Sequence, residues 1–246
     1  MHPVPKIEPQ PDAIAVDPDF RSLNLTRVSH QPKDILDVVK QFTRQINNTR
    51  LLYKEVFVVI YKIWTRMEMS DDQGRFDDLT RHLNIAMKTL DGFFFGGLLT
   101  GIGPFSDRGG GVTVLKTANN IFAEGQIGHA LFLRTGLAAI RGLTAPTLDG
   151  KTFIYIDTSR GDIPKSMKDI LETLVHEMAH AIYLSFSCRC ARCQYDSGRS
   201  EVLGQQGHGR LWKEMAEHMR DTIQSWDCHL EDFLDGDKIE WHHINR

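Results

Sequence analysis

The stretch Leu171-Glu172-Thr173-Leu174-Val175-His176-Glu177-Met178-Ala179-His180-Ala181 decides the reading of this chain. Leu171, Leu174, Val175, Met178, Ile182 and Tyr183 recur at helical steps and give a broad apolar face, so the segment reads as a central, largely buried helix. Pro164 is expected in its first turn, and no further Pro or Gly follows until Gly198. His176 and His180 stand one turn apart on one face of that helix, where each can offer a ring nitrogen to a single zinc at about 2.0–2.1 Å. Two histidines and a glutamate on an otherwise apolar helix are costly to bury without hydrogen bonds or a metal.

Glu177 is offset by one residue from the first histidine, so it does not share the metal easily. It can instead take a proton from a metal-activated water, the part played by this residue in zinc metalloproteases of the His-Glu-x-x-His type. A catalytic zinc takes three protein ligands and keeps a fourth position open. Tyr183 and Phe186 occupy the positions where a metzincin carries glycine and histidine, which excludes that class. The favoured third ligand is His208, flanked by Gly207 and Gly209 and followed by Leu211, Trp212, Met215 and Met219 at helical spacing. Glu201 is the alternative, with His218 and His229 as outsiders.

Working outward, residues 1–30 carry Pro3, Pro5, Pro9, Pro11 and Pro18 with no apolar period and read as a disordered arm. Residues 31–75 read as a helical N-terminal extension on the steps of Val39, Phe42, Ile46, Val56, Val59, Ile60, Ile63 and Trp64, broken near Asn47-Asn48-Thr49. Residues 76–225 form the main domain, and 226–246 are read as a C-terminal tail. A further helix follows Asp72 and ends in Phe93, Phe94 and Phe95, which are read as core, before Gly96 and Gly97. Strand-like runs are expected at Val112–Leu115, Ala130–Arg134 and Thr152–Asp157, the last with Ile154 and Ile156 facing away from Phe153 and Tyr155. A few strands followed by long helices point to an α+β fold.

With 41% hydrophobic and 25% charged residues among 246, the composition is that of an ordinary globular chain. A net charge of −3 excludes a whole-chain electrostatic case for nucleic acid. No apolar run approaches the ~20 residues of a membrane-spanning helix. The first residues lack the pattern of a secretory signal, so an intracellular location is expected, with nucleus and cytoplasm not distinguished, and no membrane partner. Cys188, Cys190, Cys193 and Cys228 form a candidate second metal or redox cluster, because a C-x-C-x2-C run in a reducing compartment points to metal before disulfides.

The helix quoted above, together with Gly207-His208-Gly209 leading into a helix, resembles the SprT-like family of zinc metalloproteases, which includes Spartan, a protease of DNA–protein crosslink repair. Phe94-Phe95-Gly96-Gly97-Leu98 is similar to that family's aromatic-glycine segment, and Thr152–Asp157 to the strand before its active-site helix. The resemblance covers about Thr80 to Asp221. It implies a zincin-like domain with a small sheet beside the active helix, Zn2+ on His176, His180 and His208, Glu177 as the catalytic residue, peptide-bond hydrolysis and, as a partner, DNA-associated protein or DNA itself. The segment 187–206, with three of the cysteines, stands as an insertion relative to that family, and no C-terminal zinc ribbon is evident. Two other function classes remain open at this stage. One is a non-proteolytic, zinc-containing nucleic-acid or chromatin-associated module; the other is an interaction scaffold built on the N-terminal helices.

Overall fold

The computed structural model describes residues 30–45, 48–65, 73–101, 113–118, 142–146, 152–157, 166–188, 190–192 and 207–235. Helix α1 spans Pro32–Arg44, with Pro32 in the first turn, where its missing N–H costs nothing, and Ile35, Leu36, Val39 and Phe42 buried along one face. Helix α2, Asn48–Trp64, buries Phe57, Ile60, Tyr61 and Trp64. From α2, Arg50 donates to the Phe42 and Gln45 carbonyls at the end of α1, and its guanidinium lies 3.6 Å over the Phe42 ring. Carbonyls that the helix itself cannot satisfy are thereby met.

Helix α3, Gln73–Phe95, buries Leu79, Leu83, Ala86, Met87, Leu90 and Phe94 at helical steps. Gly96 and Gly97 end it with φ of 61° and 82°, a region that favours glycine. The chain then folds back onto the buried carboxyl group of Asp91. That group accepts from Leu99 N at 3.1 Å and from Thr100 N and Oγ1, each at 2.7 Å. Phe93, Phe94 and Phe95 are all buried, as read from the sequence.

Among the described residues, three short strands form one mixed sheet in the order β1-β3-β2. Strand β1 (Thr113–Ala118) pairs parallel with β3 (Thr152–Asp157), while β2 (Gly142–Pro146) pairs antiparallel with it, Thr144 opposite Ile154. Ile154 and Ile156 enter the helical core, whereas Tyr155 gathers Leu143 and Phe153 on the other face, the alternation expected of a half-covered sheet. Helix α4 (Met167–Phe186) packs on β2 and β3. It begins three residues later than Pro164, at a reciprocal cap in which Asp169 N donates to Ser166 Oγ and Ser166 N to Asp169 Oδ2, at 3.1 and 3.0 Å. Helix α5 (Arg210–Gln224) buries Leu211, Trp212, Met215, Met219 and Ile223 against it.

The α+β expectation holds: the described residues are mostly helical with a small sheet. Among the described residues no helix is long and apolar enough to cross a membrane. Some boundaries differ from the sequence reading. Strand β1 runs to Ala118, β2 had no expected counterpart, and Ala130–Arg134 lies outside the described residues. Helices α1 and α2 are not a separate extension in packing terms, because their apolar faces belong to the same core as α4 and α5.

The stretch read as a tail is core as far as Leu234. Trp226 meets Phe93 at 4.6 Å and Phe57 at 5.5 Å between centroids, and Leu230, Phe233 and Leu234 are buried. Glu172 on α4 secures this end by accepting from Leu234 N at 2.8 Å. Trp226, Leu230, Phe233 and Leu234 recur at i, i+4, i+7 and i+8, an apolar stripe that the reading of this stretch as a tail passed over.

Burial pushes the Asp91 carboxyl up to about 6, partly offset by the donors of Thr100 and Leu99. The folded state therefore holds this proton more tightly than the unfolded chain, whose aspartate titrates near 3.9. Its contribution to stability is greatest at low pH and falls as pH rises from about 4 to about 6. Denaturant titrations across that range should show the decline in wild type and its absence in Asp91→Ala. At neutral pH Asp91→Ala should also cost about 2–3 kcal/mol, because it strands buried donors.

Candidate metal centre

His176 and His180 project from one face of α4, and His208 is carried to them by the segment that opens α5. Gly207 has φ +78°, and a Cβ there would stand 3.1 Å from Cε1 of His180, so the glycine permits both the turn and the close approach. The three Nε2 atoms form a triangle of 3.3 Å (His176 to His180), 2.9 Å (His180 to His208) and 3.1 Å (His176 to His208). Each Nε2 has one in-plane site, a lone pair or a proton, and three such sites turned on one another cannot all be satisfied among themselves.

Burial, with smaller contributions from neighbouring histidines, holds His176 and His180 well below the usual imidazole range. For His208 burial leads and Lys213 adds to it in the same direction. All three are thus held neutral, the state in which imidazole binds metal. Two ligands of a tetrahedral zinc, each at 2.0–2.1 Å, stand about 3.3–3.4 Å apart, close to the observed triangle. The donor set and its spacing fit a zinc ion.

Trp212, one turn into α5, lies against all three rings, with centroids 4.7, 4.9 and 4.5 Å from those of His176, His180 and His208. From sequence it was read only as core. It sits in the first turn of the helix that His208 leads into, which is what brings its ring to the cluster.

Glu177 is buried beside the cluster, its Oε1 4.0 Å from His176 Nε2. Thr144 on β2 donates to Glu177 Oε2 at 2.5 Å and also lies 3.0 Å from the Glu177 carbonyl oxygen. Burial raises the Glu177 carboxyl to about 7 against the opposing pull of the Thr144 hydrogen bond. Two residues before Thr144, Gly142 lies so close to α4 that a Cβ would stand 2.6 Å from Thr173 Cγ2 and 2.8 Å from Glu177 Cγ. Neither Gly142 nor Thr144 was singled out from sequence, since no local pattern announces a strand partner.

The structure therefore brings His176, Glu177, His180 and His208 together. Glu201, the other candidate third ligand, lies outside the described residues, as does Cys193. His218 packs at the α1–α5 contact, its Nε2 2.6 Å from Thr43 Oγ1. Cys188 follows α4 and its Sγ accepts from Cys190 N at 3.5 Å.

Among the described residues Cys228 does not group with Cys188 or Cys190. Among the described residues it groups with Asp227 and His229, where Asp227 Oδ1 lies 2.7 Å from His229 Nδ1. The reason is the length of α4. Glu172 is tied to the turn that follows Cys228, while Cys188 lies beyond the opposite end of the helix, some 14 residues or about 21 Å further along.

No protein-family model, curated protein or solved structure matches the chain. Function is therefore read from the chain's own residues.

Purified protein should bind one zinc at this centre, seen by elemental analysis, and His176→Ala, His180→Ala and His208→Ala should each lose it. Zinc at one hundred times its dissociation constant should stabilise wild type by about 2.7 kcal/mol and these variants far less. Gly142→Ala tests the strand contact: it should cost about 1–3 kcal/mol in denaturant titration through overpacking while zinc content is kept.

Proposed function

We propose that this chain is a zinc-dependent peptide hydrolase with a SprT-like, zincin-type domain. The observation that carries the reading is the convergence of three neutral imidazole nitrogens beside a buried carboxyl group that is not itself in the ligand set. A structural zinc would take four protein ligands and has no use for such a group. Bound there, zinc supplies a Lewis acid and lowers the pKa of water.

The chain's own residues do the rest. His176, His180 and His208 would hold the metal. Glu177 receives the proton of the attacking water and delivers it to the leaving amine nitrogen, a task suited to a carboxyl group raised toward neutrality. The protein substrate enters as an extended strand along the edge of the sheet. Strand β2, an outer strand of the sheet among the described residues, carries Thr144 and Gly142 against Glu177. Pairing of main chain with main chain gives weak sequence selectivity, in keeping with action on varied proteins, including those associated with DNA.

Glu177→Gln keeps size and hydrogen bonding and removes the base. Zinc content and melting temperature should stay near wild type while cleavage of casein, or self-cleavage, falls about 10²–10⁴-fold. The assay is run with and without single-stranded and duplex DNA as activators. A Glu177→Gln variant as active as wild type would sink the mechanism. A zinc-loaded wild type that cleaves nothing under any of these conditions would sink the hydrolase reading and leave the non-proteolytic module.

A further inference from the structure

In the hydrolase reading on which this inference rests, Glu177 must keep its carboxyl group turned toward the histidine cluster. A carboxyl group on a flexible stem turns easily, and a hydrogen bond from a fixed neighbour holds it. Thr144 is that neighbour.

Its hydroxyl has one proton and two lone pairs, and it faces two oxygens of the same residue, Glu177 Oε2 at 2.5 Å and the Glu177 carbonyl at 3.0 Å. One proton cannot fully occupy both contacts at once. The hydroxyl proton is shared between Oε2 and the carbonyl, so one side chain on β2 ties both the carboxyl group and the backbone of Glu177.

We propose that Thr144 is the positioning residue of Glu177, its hydroxyl holding the carboxyl group in one orientation beside the three imidazoles. The placement depends on β2 as a whole. Thr144 and Gly142 share a strand face, so the missing side chain at Gly142 is what brings the Thr144 hydroxyl within bonding distance of α4. Pairing of Thr144 with Ile154 on β3 fixes that register.

The test compares full-length wild type, Thr144→Val, Thr144→Ser and Glu177→Gln as purified. Valine keeps the shape of threonine without the hydroxyl, and serine keeps the hydroxyl without the methyl. With casein as the probe, Thr144→Val should lower kcat about 10–100-fold with KM within about twofold, at unchanged zinc content, and Thr144→Ser should recover most of the loss.

Infrared difference spectra against Glu177→Gln supply a readout that does not depend on activity. The Glu177 carboxyl band should move in Thr144→Val and stay in place in Thr144→Ser. Three outcomes overturn the proposal: a Thr144→Val kcat within twofold of wild type, a Thr144→Ser variant as impaired as Thr144→Val, or an unmoved infrared band. A wild type without activity overturns the hydrolase reading instead, and the infrared comparison then decides by itself whether the hydroxyl holds Glu177.

Discussion

Helix α4 must bury apolar surface on nearly every side and still carry two imidazoles and a carboxyl group in its middle. Buried polar atoms without partners cost several kcal/mol each in an apolar setting, more than a domain of ordinary stability tolerates for long. The rest of the molecule is arranged around that constraint. The imidazoles are turned to a common point with His208, Trp212 packs against their rings, and β2 lies close enough for Thr144 to bond Glu177. A helix of this composition is stable only when all three arrangements are made together.

The constraint also accounts for the helices around α4. Packed on β2 and β3, α4 still has apolar surface to cover, and α1, α2, α3, α5 and the turns after Trp226 cover it within one core. Each added element brings its own polar loose ends, and each has a local answer. Arg50 meets the end of α1, Asp91 folds the Gly96-Gly97 turn onto α3, and Glu172 holds the Leu234 backbone. These side chains are buried for structure, whereas Glu177 is buried beside three ligand atoms. The difference lies in what surrounds each carboxyl group: Asp91 and Glu172 accept from backbone N–H groups, while Glu177 accepts from one hydroxyl and faces the imidazoles.

Much of this was legible in the chain itself. The i, i+4 step of His176 and His180, the flanking glycines of His208 and the helical spacing after it are local patterns, and helices obey local periodicity. The same holds for the buried Phe93-Phe94-Phe95 segment, for the break between α1 and α2, and for the alternation of Ile154 and Ile156 against Tyr155. Strand β2 escaped because Gly-Leu-Thr-Ala-Pro has little strand propensity and is defined by its partner, β3. The core role of Trp226, Leu230, Phe233 and Leu234 was legible in their i, i+4, i+7, i+8 spacing and was passed over, because the stripe is short and lies among charged residues.

By itself, then, the sequence determined which helix is central and that His176 and His180 share one face of it with a carboxyl group next to the first, and it favoured His208 over Glu201 as their third partner. Tertiary structure decided that Thr144 and Gly142 lie against Glu177, that Trp212 lies against the imidazoles, and that Cys228 is far from Cys188. The physical reason is range. Helical spacing is set by hydrogen bonds four residues apart and is written into every turn, whereas Thr144 and Glu177 meet across 33 residues through a sheet register that no single segment encodes.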